Sequence, residues 1–233
     1  MTKPVCVVVG VGPGIGAAYA RRFARDGYAV ALLARSAETS AGLVAELPGA
    51  RGYACDVGDA AAVASAFDAI RADLGAPSVV LYNAGSGTFG TFDDVTADDV
   101  ENALRINALG LFHVAKQVVP AMKQAGAGAI IITGATASRR GVARTIAFAP
   151  GKAAQRSLAE SLARTLGPSG IHVALIVIDG VVDLPRTRAY MPGKPDTFFV
   201  APDDVAANAA WLVAQPRSAW SFEIEARPFG ESW

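Results

Sequence analysis

Three observations predict a doubly wound α/β domain: one parallel sheet of seven strands with helices on both faces. First, short apolar runs rich in Val and Ile alternate along the chain with longer stretches of helical spacing. Second, the run Val5-Cys6-Val7-Val8-Val9 leads into Gly10-Val11-Gly12-Pro13-Gly14-Ile15-Gly16 and then a helical pattern ending at Gly27. A strand, a glycine turn and a helix in that order let the backbone approach a pyrophosphate, and the free N–H groups of the helix start favour the anion. Third, 233 residues, 52% of them hydrophobic and 18% charged, suit one large core in a single domain over residues 1–233.

Composition narrows the partners. With 21 basic and 21 acidic residues, nothing steers the chain toward nucleic acid or an anionic membrane. No apolar stretch reaches spanning length, and the first residues lack a signal-peptide pattern. Cys6 and Cys55 fall in strands expected to be buried and read as small core hydrophobes in a reducing compartment, so the expected location is cytoplasmic. Two His and no paired Cys give a metal site no support, and His113 and His172 read as core or interface residues.

The elements follow in order. Tyr28 to Ala34 is the second strand, and Arg35 follows it. In a Rossmann unit this strand's end faces the adenosine ribose; no carboxylate stands here for a 2′-hydroxyl, and an Arg fork suits a 2′-phosphate. A helix over 38–47 leads to a third strand near Arg51 to Cys55, then Asp56-Val57, where the carboxylate either accepts from the adenine amino group or caps the helix beginning near Asp59. Ser78 to Tyr82 is the fourth strand, ending in Asn83-Ala84-Gly85. After the loop 86–94, one helix starts near Ala97 and a longer one runs from near Asn107 to Lys123. Ala129 to Thr133 is the fifth strand, 134–146 a polar connection carrying Arg139, Arg140 and Arg144, and Gly151 to Leu166 a helix. Ile171 to Ile178 is the sixth strand. Residues 179–202, with four prolines and little periodicity, read as a substrate lid without regular structure. A helix from Asp203 to Gln215 and a strand around Ser221 to Arg227 close the chain.

With the glycine turn, Asn83-Ala84-Gly85, Asn107, Lys152 and the long segment after the sixth strand in this order, nearly the whole chain resembles the short-chain dehydrogenase/reductase family. The resemblance implies a seven-stranded Rossmann sheet with a nicotinamide dinucleotide at its C-terminal edge. It implies Gly10, Gly14, Gly16, Asn83, Ala84, Gly85 and Lys152 at the cofactor; Gly12, Ile15, Arg35, Asp56 and Val57 complete the candidate set from the residues, where Arg35 either favours NADP(H) over NAD(H) or is an exposed loop arginine. Val9 replaces the family's Thr in the glycine motif, and Tyr82 replaces the first Asn of its Asn-Asn-Ala-Gly. It also implies pairing of subunits through the helices near Asn107 and Gly151, hence a homodimer or homotetramer.

The catalytic set departs further from the family. Asn107 and Lys152 match, but the Tyr position four residues before Lys152 is Phe148, and the Ser position falls on Ala135. In the family the Tyr hydroxyl protonates the substrate oxygen as hydride arrives, a contribution worth roughly 10²–10⁴ in rate. Phe148 has no proton to give and Ala135 no hydrogen bond. Thr136, beside the vacant Ser position, and Tyr190, in the expected lid, are the candidate substitutes; local turn bonding is the competing reading of Thr136. For Asn107 the competing reading is a helix-start amide capping backbone groups, and for Lys152 a surface helix lysine. The Arg139–Arg144 stretch reads either as a solvated loop or as a contact for an anionic substrate. Three functions are open: the first is an oxidoreductase acting on a small carbonyl or alcohol with an atypical catalytic set, the second a catalytically inactive dinucleotide-binding scaffold or sensor. A non-redox enzyme using the same cleft is a third.

Overall fold

Val5–Val9 forms β1, and its five residues are all buried because the sheet is covered on both faces. In the computed structural model, which describes residues 3–231, Cys6 and Val8 enter one core while Val5, Val7 and Val9 enter the other. That alternation is the period of two of a strand expressed across a two-sided sheet. The remaining elements are α1 (Ile15–Arg25), β2 (Ala29–Ala34), α2 (Ala37–Glu46), β3 (Arg51–Ala54), α3 (Ala60–Asp73), β4 (Pro77–Tyr82), α4 (Ala97–Leu104) and α5 (Gly110–Ala125). They continue as β5 (Gly128–Ala135), α6 (Phe148–Leu166), β6 (Ile171–Ile178), β7 (Val181–Val182), α7 (Pro185–Tyr190), β8 (Phe199–Val200), α8 (Pro202–Ala214) and β9 (Glu223–Ala226).

Seven strands pair in parallel in the order β3-β2-β1-β4-β5-β6-β9, as the apolar runs predict. One face is packed by α1 and α8, with Tyr19, Phe23, Val205 and Leu212 in its core. The other is packed by α3, α5 and α6, through Phe67, Ile70, Leu111, Met122 and Leu166. The chain winds outward from β1 to β3, then returns to the centre and winds the other way from β4 to β9. The crevice between the carboxyl ends of β1 and β4 is therefore the switch point where such sheets take ligands.

Several expected boundaries change. The separate helices expected from Ala97 and from Asn107 join through a π-helical turn at Arg105–Leu109, so Asn107 lies inside a helical stretch and not at its start. The Asn107 amide bonds back to the Ala103 carbonyl at 2.8 Å, so it caps no helix N-terminus. The helix expected from Gly151 begins at Phe148; Pro150 is tolerated because it falls in the first turn, where its missing N–H needs no partner. The third strand is an exposed edge; Cys55, one residue past it, is buried. Residues 179–202 carry regular structure after all: α7 and the short parallel pair β7–β8. A six-residue helix is too short to show a period, and Thr187 stabilises it by accepting from the Leu184 N–H at 3.0 Å.

No helix among the described residues is long and apolar enough to cross a membrane.

Candidate functional site at the switch point

The turn after β1 and the turn after β4 meet at the switch point. Gly10 sits at φ +88°, and a Cβ there would lie 2.5 Å from the Ala84 Cα, so only glycine lets the two turns touch. Asn83 ties them by donating from Nδ2 to the Gly10 carbonyl at 2.9 Å. A Cβ on Gly16 would lie 2.7 Å from the Gly10 oxygen, which holds α1 close to the strand end. Gly12 differs: a Cβ there meets nothing within 4 Å, so the turn is open on that side. α1 begins beyond Gly14 with no side-chain cap and no acid in its first turn; the Ala17 N–H bonds to the Gly12 carbonyl at 3.1 Å, leaving the Ile15 and Gly16 N–H groups and the dipole to an anion. Ile15 is the first residue of that helix and is buried.

The end of β2 carries a cation. Arg35 is exposed at the end of β2 and acts electrostatically on Asp56. Burial alone would raise the Asp56 pKa; the Gly58 N–H at 2.9 Å and the Arg105 guanidinium at 3.1 Å outweigh it and hold the carboxyl below its usual range. The helix-capping alternative for Asp56 falls to Asp59, which accepts from the Ala61 N–H at 2.8 Å. Val57 is buried, and its carbonyl lies 3.2 Å from His113 Nδ1. Arg105 continues to Asn102 and Asn102 to Ser86, linking this corner to the loop after β4.

Lys152, Asn107 and Gly85 converge. The Lys152 ammonium is buried, donating to the Thr133 carbonyl and to Gln155 Oε1, each at 3.0 Å, so it is not a surface lysine. Burial lowers its pKa from 10.5 to about 8. Asn107 is fully buried and its Oδ1 has no hydrogen-bond partner. A Cβ on Gly85 would sit 3.3 Å from that oxygen and 3.6 Å from Lys152 Nζ. The missing side chain thus leaves a slot between an orphan acceptor and a cation.

The other candidates bring no free hydroxyl to that slot. Phe148 begins α6 with its ring 4.9 Å from Phe89 and 5.9 Å from Lys152 Nζ, an aromatic wall beside the cation. Ala135 ends β5. Thr136 donates to Asp179 at 2.6 Å, committing its hydroxyl to the end of β6. Tyr190 is 85% exposed, so its phenol faces solvent in this conformation. Leu184, just before α7, packs over Gly14, which brings the segment after β6 to the glycine turn. Arg139 is no free anion contact: it pairs with Glu223 at 2.9 Å and with Glu225 on β9. His172 lies between the Leu212 and Ser221 carbonyls, stacked on Trp220.

Two further residues shape the site, Gln155, which the sequence did not single out, and Tyr82, which stood there only as a replaced motif position. Tyr82 donates its hydroxyl to the Ile106 carbonyl at 2.5 Å, and Gln155 donates from Nε2 to the Asn107 carbonyl at 3.2 Å. Both bonds hold the π turn that carries Asn107. A phenol at the end of a buried strand demands a partner, and Gln155 stands three residues after Lys152 on one helix face; those were the available signals.

A doubly wound sheet with a glycine turn and a lysine–asparagine slot at its switch point defines a Rossmann-type domain with a site at its carboxyl edge. The short chain dehydrogenase family model matches residues 4–191, and the chain belongs to that family. It is 32% identical over 222 residues to a D-threitol dehydrogenase of Mycolicibacterium smegmatis, covering 90% of this chain and 85% of that protein. It is 30% identical over 224 residues to a cyclic-di-GMP-binding biofilm dispersal mediator protein of Escherichia coli, covering 93% and 92%. Among solved structures, it resembles an alcohol dehydrogenase of Thermococcus sibiricus complexed with 5-hydroxy-NADP, with TM-score 0.87, 26% identity and 98% of each chain covered.

Proposed function

We propose that this chain is an NADP(H)-dependent oxidoreductase acting on a small carbonyl or alcohol, with a catalytic set lacking the usual Ser and Tyr. The observation that carries the reading is the slot over Gly85, where an unpartnered buried Asn107 oxygen and a buried ammonium face one small space. A hydroxyl seated there accepts from Lys152 and donates to Asn107, so a ribose hydroxyl of the dinucleotide satisfies both. The open face of Gly12 and the uncapped N-terminus of α1 suit its pyrophosphate. Arg35 beside Asp56 suits a 2′-phosphate, and the NADP analogue bound in the Thermococcus relative supports that preference. When bound, the nicotinamide supplies hydride transfer.

The chain's own residues then hold that hydroxyl. Phe148 excludes water from one side of Lys152 without offering an acid. Lys152, with its pKa drawn to about 8, is charged at neutral pH, so its ammonium donates to the hydroxyl seated over Gly85, and the proton for the substrate oxygen comes from water or another side chain. Two of its three N–H bonds are committed to Thr133 and Gln155, leaving one for the slot. The segment 179–202 serves as lid, with Leu184 already over the glycine turn. The exposed Leu109 and Phe112, on the helical stretch that the resemblance pairs between subunits, support a homodimer or homotetramer.

A second reading, a dinucleotide-holding scaffold without turnover, draws on Phe148 and Ala135 and on the Escherichia coli relative, whose name records binding. Calorimetric titration with NADPH and NADH, in wild type and Arg35→Ala, tests both. We expect NADPH to bind at least about tenfold tighter than NADH in the wild type, and Arg35→Ala to remove most of that margin. Binding without turnover on a broad carbonyl panel favours the scaffold; no binding of either nucleotide sinks both.

A further inference from the structure

Gln155 has no role in the family resemblance, yet it is as buried as any polar residue of the site. Its amide spans the gap between α6 and the π turn: Oε1 accepts from Lys152 Nζ at 3.0 Å, and Nε2 donates to the Asn107 carbonyl at 3.2 Å. A flexible lysine is thereby fixed at two points, the second being the Thr133 carbonyl at 3.0 Å. Each bond uses one of the three ammonium protons, so a single proton remains. A Cβ built on Gly85 would lie 3.6 Å from the ammonium and 3.3 Å from the unpartnered Asn107 oxygen, so the space over Gly85 adjoins both.

We propose that Gln155 is a positioning residue whose amide bridges Lys152 to the Asn107 carbonyl, so that the lysine presents its one uncommitted proton to a hydroxyl over Gly85. The inference rests on the oxidoreductase reading for its purpose, but the bridge itself can be measured without any cofactor.

The groups around the ammonium make such a measurement clean. On α6 these are Gln155 and the Phe148 ring; on β5 the Thr133 carbonyl; on the π turn Asn107; after β4, Gly85. Behind Thr133 stands the Tyr19 phenol, 3.1 Å from the Thr133 hydroxyl and kept neutral because burial drives its pKa up. Burial alone displaces the Lys152 pKa, with no charged neighbour contributing. A neutral acceptor that bonds the ammonium favours its charged form, so Gln155 partly offsets the burial.

The experiment is a lysine-selective ¹³Cε NMR pH titration of the full chain, with the Lys152 signal identified by its loss in Lys152→Arg. The Gln155 side-chain amide is followed in the same samples. In the wild type the Gln155 Nε2 protons are expected to titrate in step with Lys152. In Gln155→Met, which keeps length but removes both bonds, Lys152 is expected to titrate about one pH unit lower. NADPH affinity at pH 8 is expected to fall about fivefold, because a smaller fraction of the lysine is charged. A Gln155 amide that ignores the lysine titration overturns the proposal, as does an unchanged Lys152 midpoint in Gln155→Met. Should that variant fail to fold, the wild-type amide decides alone. If NADPH does not bind the wild type, the oxidoreductase reading fails separately, while the two titrations still judge the bridge.

Discussion

Gly10 and Gly12 stand two residues apart and do different work. At Gly10 the positive φ and the Ala84 backbone forbid a side chain, whereas the space beside Gly12 is open. Gly10→Ala is therefore expected to lose more than about 2 kcal/mol of stability, read from a urea melt. Gly12→Ala is expected to melt like the wild type and, on the proposed function, to bind NADPH at least about tenfold more weakly, because its Cβ would fill the open side of the turn. A Gly12→Ala protein with unchanged affinity would remove that glycine from the site. Lys152 gives a second test through pH. Its native pKa is about 8, against the ordinary 10.5. Between those values the unfolded chain keeps a proton that the native lysine has released, so stability rises with pH across that window. The gain, fully present above about pH 10.5, is roughly 3 kcal/mol relative to Lys152→Met, which lacks the titration. Parallel stability profiles for the two proteins from pH 7 to 10.5 would contradict the burial of the charge.

The helical stretch from α4 to α5 shows what an element owes to its neighbours. Thr96 and Asp99 start it with a reciprocal capping box, legible in the residues Thr96-Ala97-Asp98-Asp99. The π turn in its middle has no such local signature. It is held by Tyr82 from β4 and Gln155 from α6, at carbonyls of adjacent residues, while the absence of a side chain at Gly110 makes room for the Tyr82 hydroxyl and Val57. Tyr82→Phe removes one clamp and leaves the ring in place. It should cost about 1–2 kcal/mol in a denaturant melt and raise amide exchange selectively at residues 105–109. Exchange that rises evenly along α5 would mean that the phenol supports the fold in general and not the turn.

Across the whole molecule, the last strand closes the sheet against an ionic latch. Glu223 on β9 accepts from Arg156 of α6 at 2.6 Å and from Arg139, after β5, at 2.9 Å. Burial alone would raise the Glu223 pKa; the Arg156 and Arg139 guanidinium groups outweigh it and hold the carboxyl below 4.5. A depressed carboxylate stabilises the native state above its unfolded pKa, and that contribution is lost as pH falls through the native value. Glu223→Gln is expected to cost about 1–2 kcal/mol at pH 7 and to flatten the loss of stability below pH 4.5, measured by thermal melts across pH 3 to 7. An unchanged acid limb would show that the latch contributes nothing.

The order of strands and helices was readable because burial imposes a period on the chain locally. The valines of β1, the Val-Ala-Leu-Leu of β2 and the isoleucines of β5 each report a doubly covered strand without reference to any partner. The glycine turn was readable for a similar reason, since only glycine tolerates the backbone approach it makes. Asn107 and Lys152 were candidates through the family resemblance, but their meeting at Gly85 depends on three elements at once. Thr136 shows the converse: its neighbour in sequence is the vacant position, yet its hydroxyl is taken by Asp179, 43 residues later. Gln155, Tyr82 and the Arg139 latch belong to the same class. What the sequence determined by itself was the alternation of elements, the glycine turn and the absence of a hydroxyl at Phe148 and Ala135, because each is a property of a residue or a short period. Only the tertiary structure decided which carbonyl each buried donor reaches, where the helix opens into a π turn and how many protons Lys152 has to spare, because hydrogen bonds between distant residues are assigned by packing.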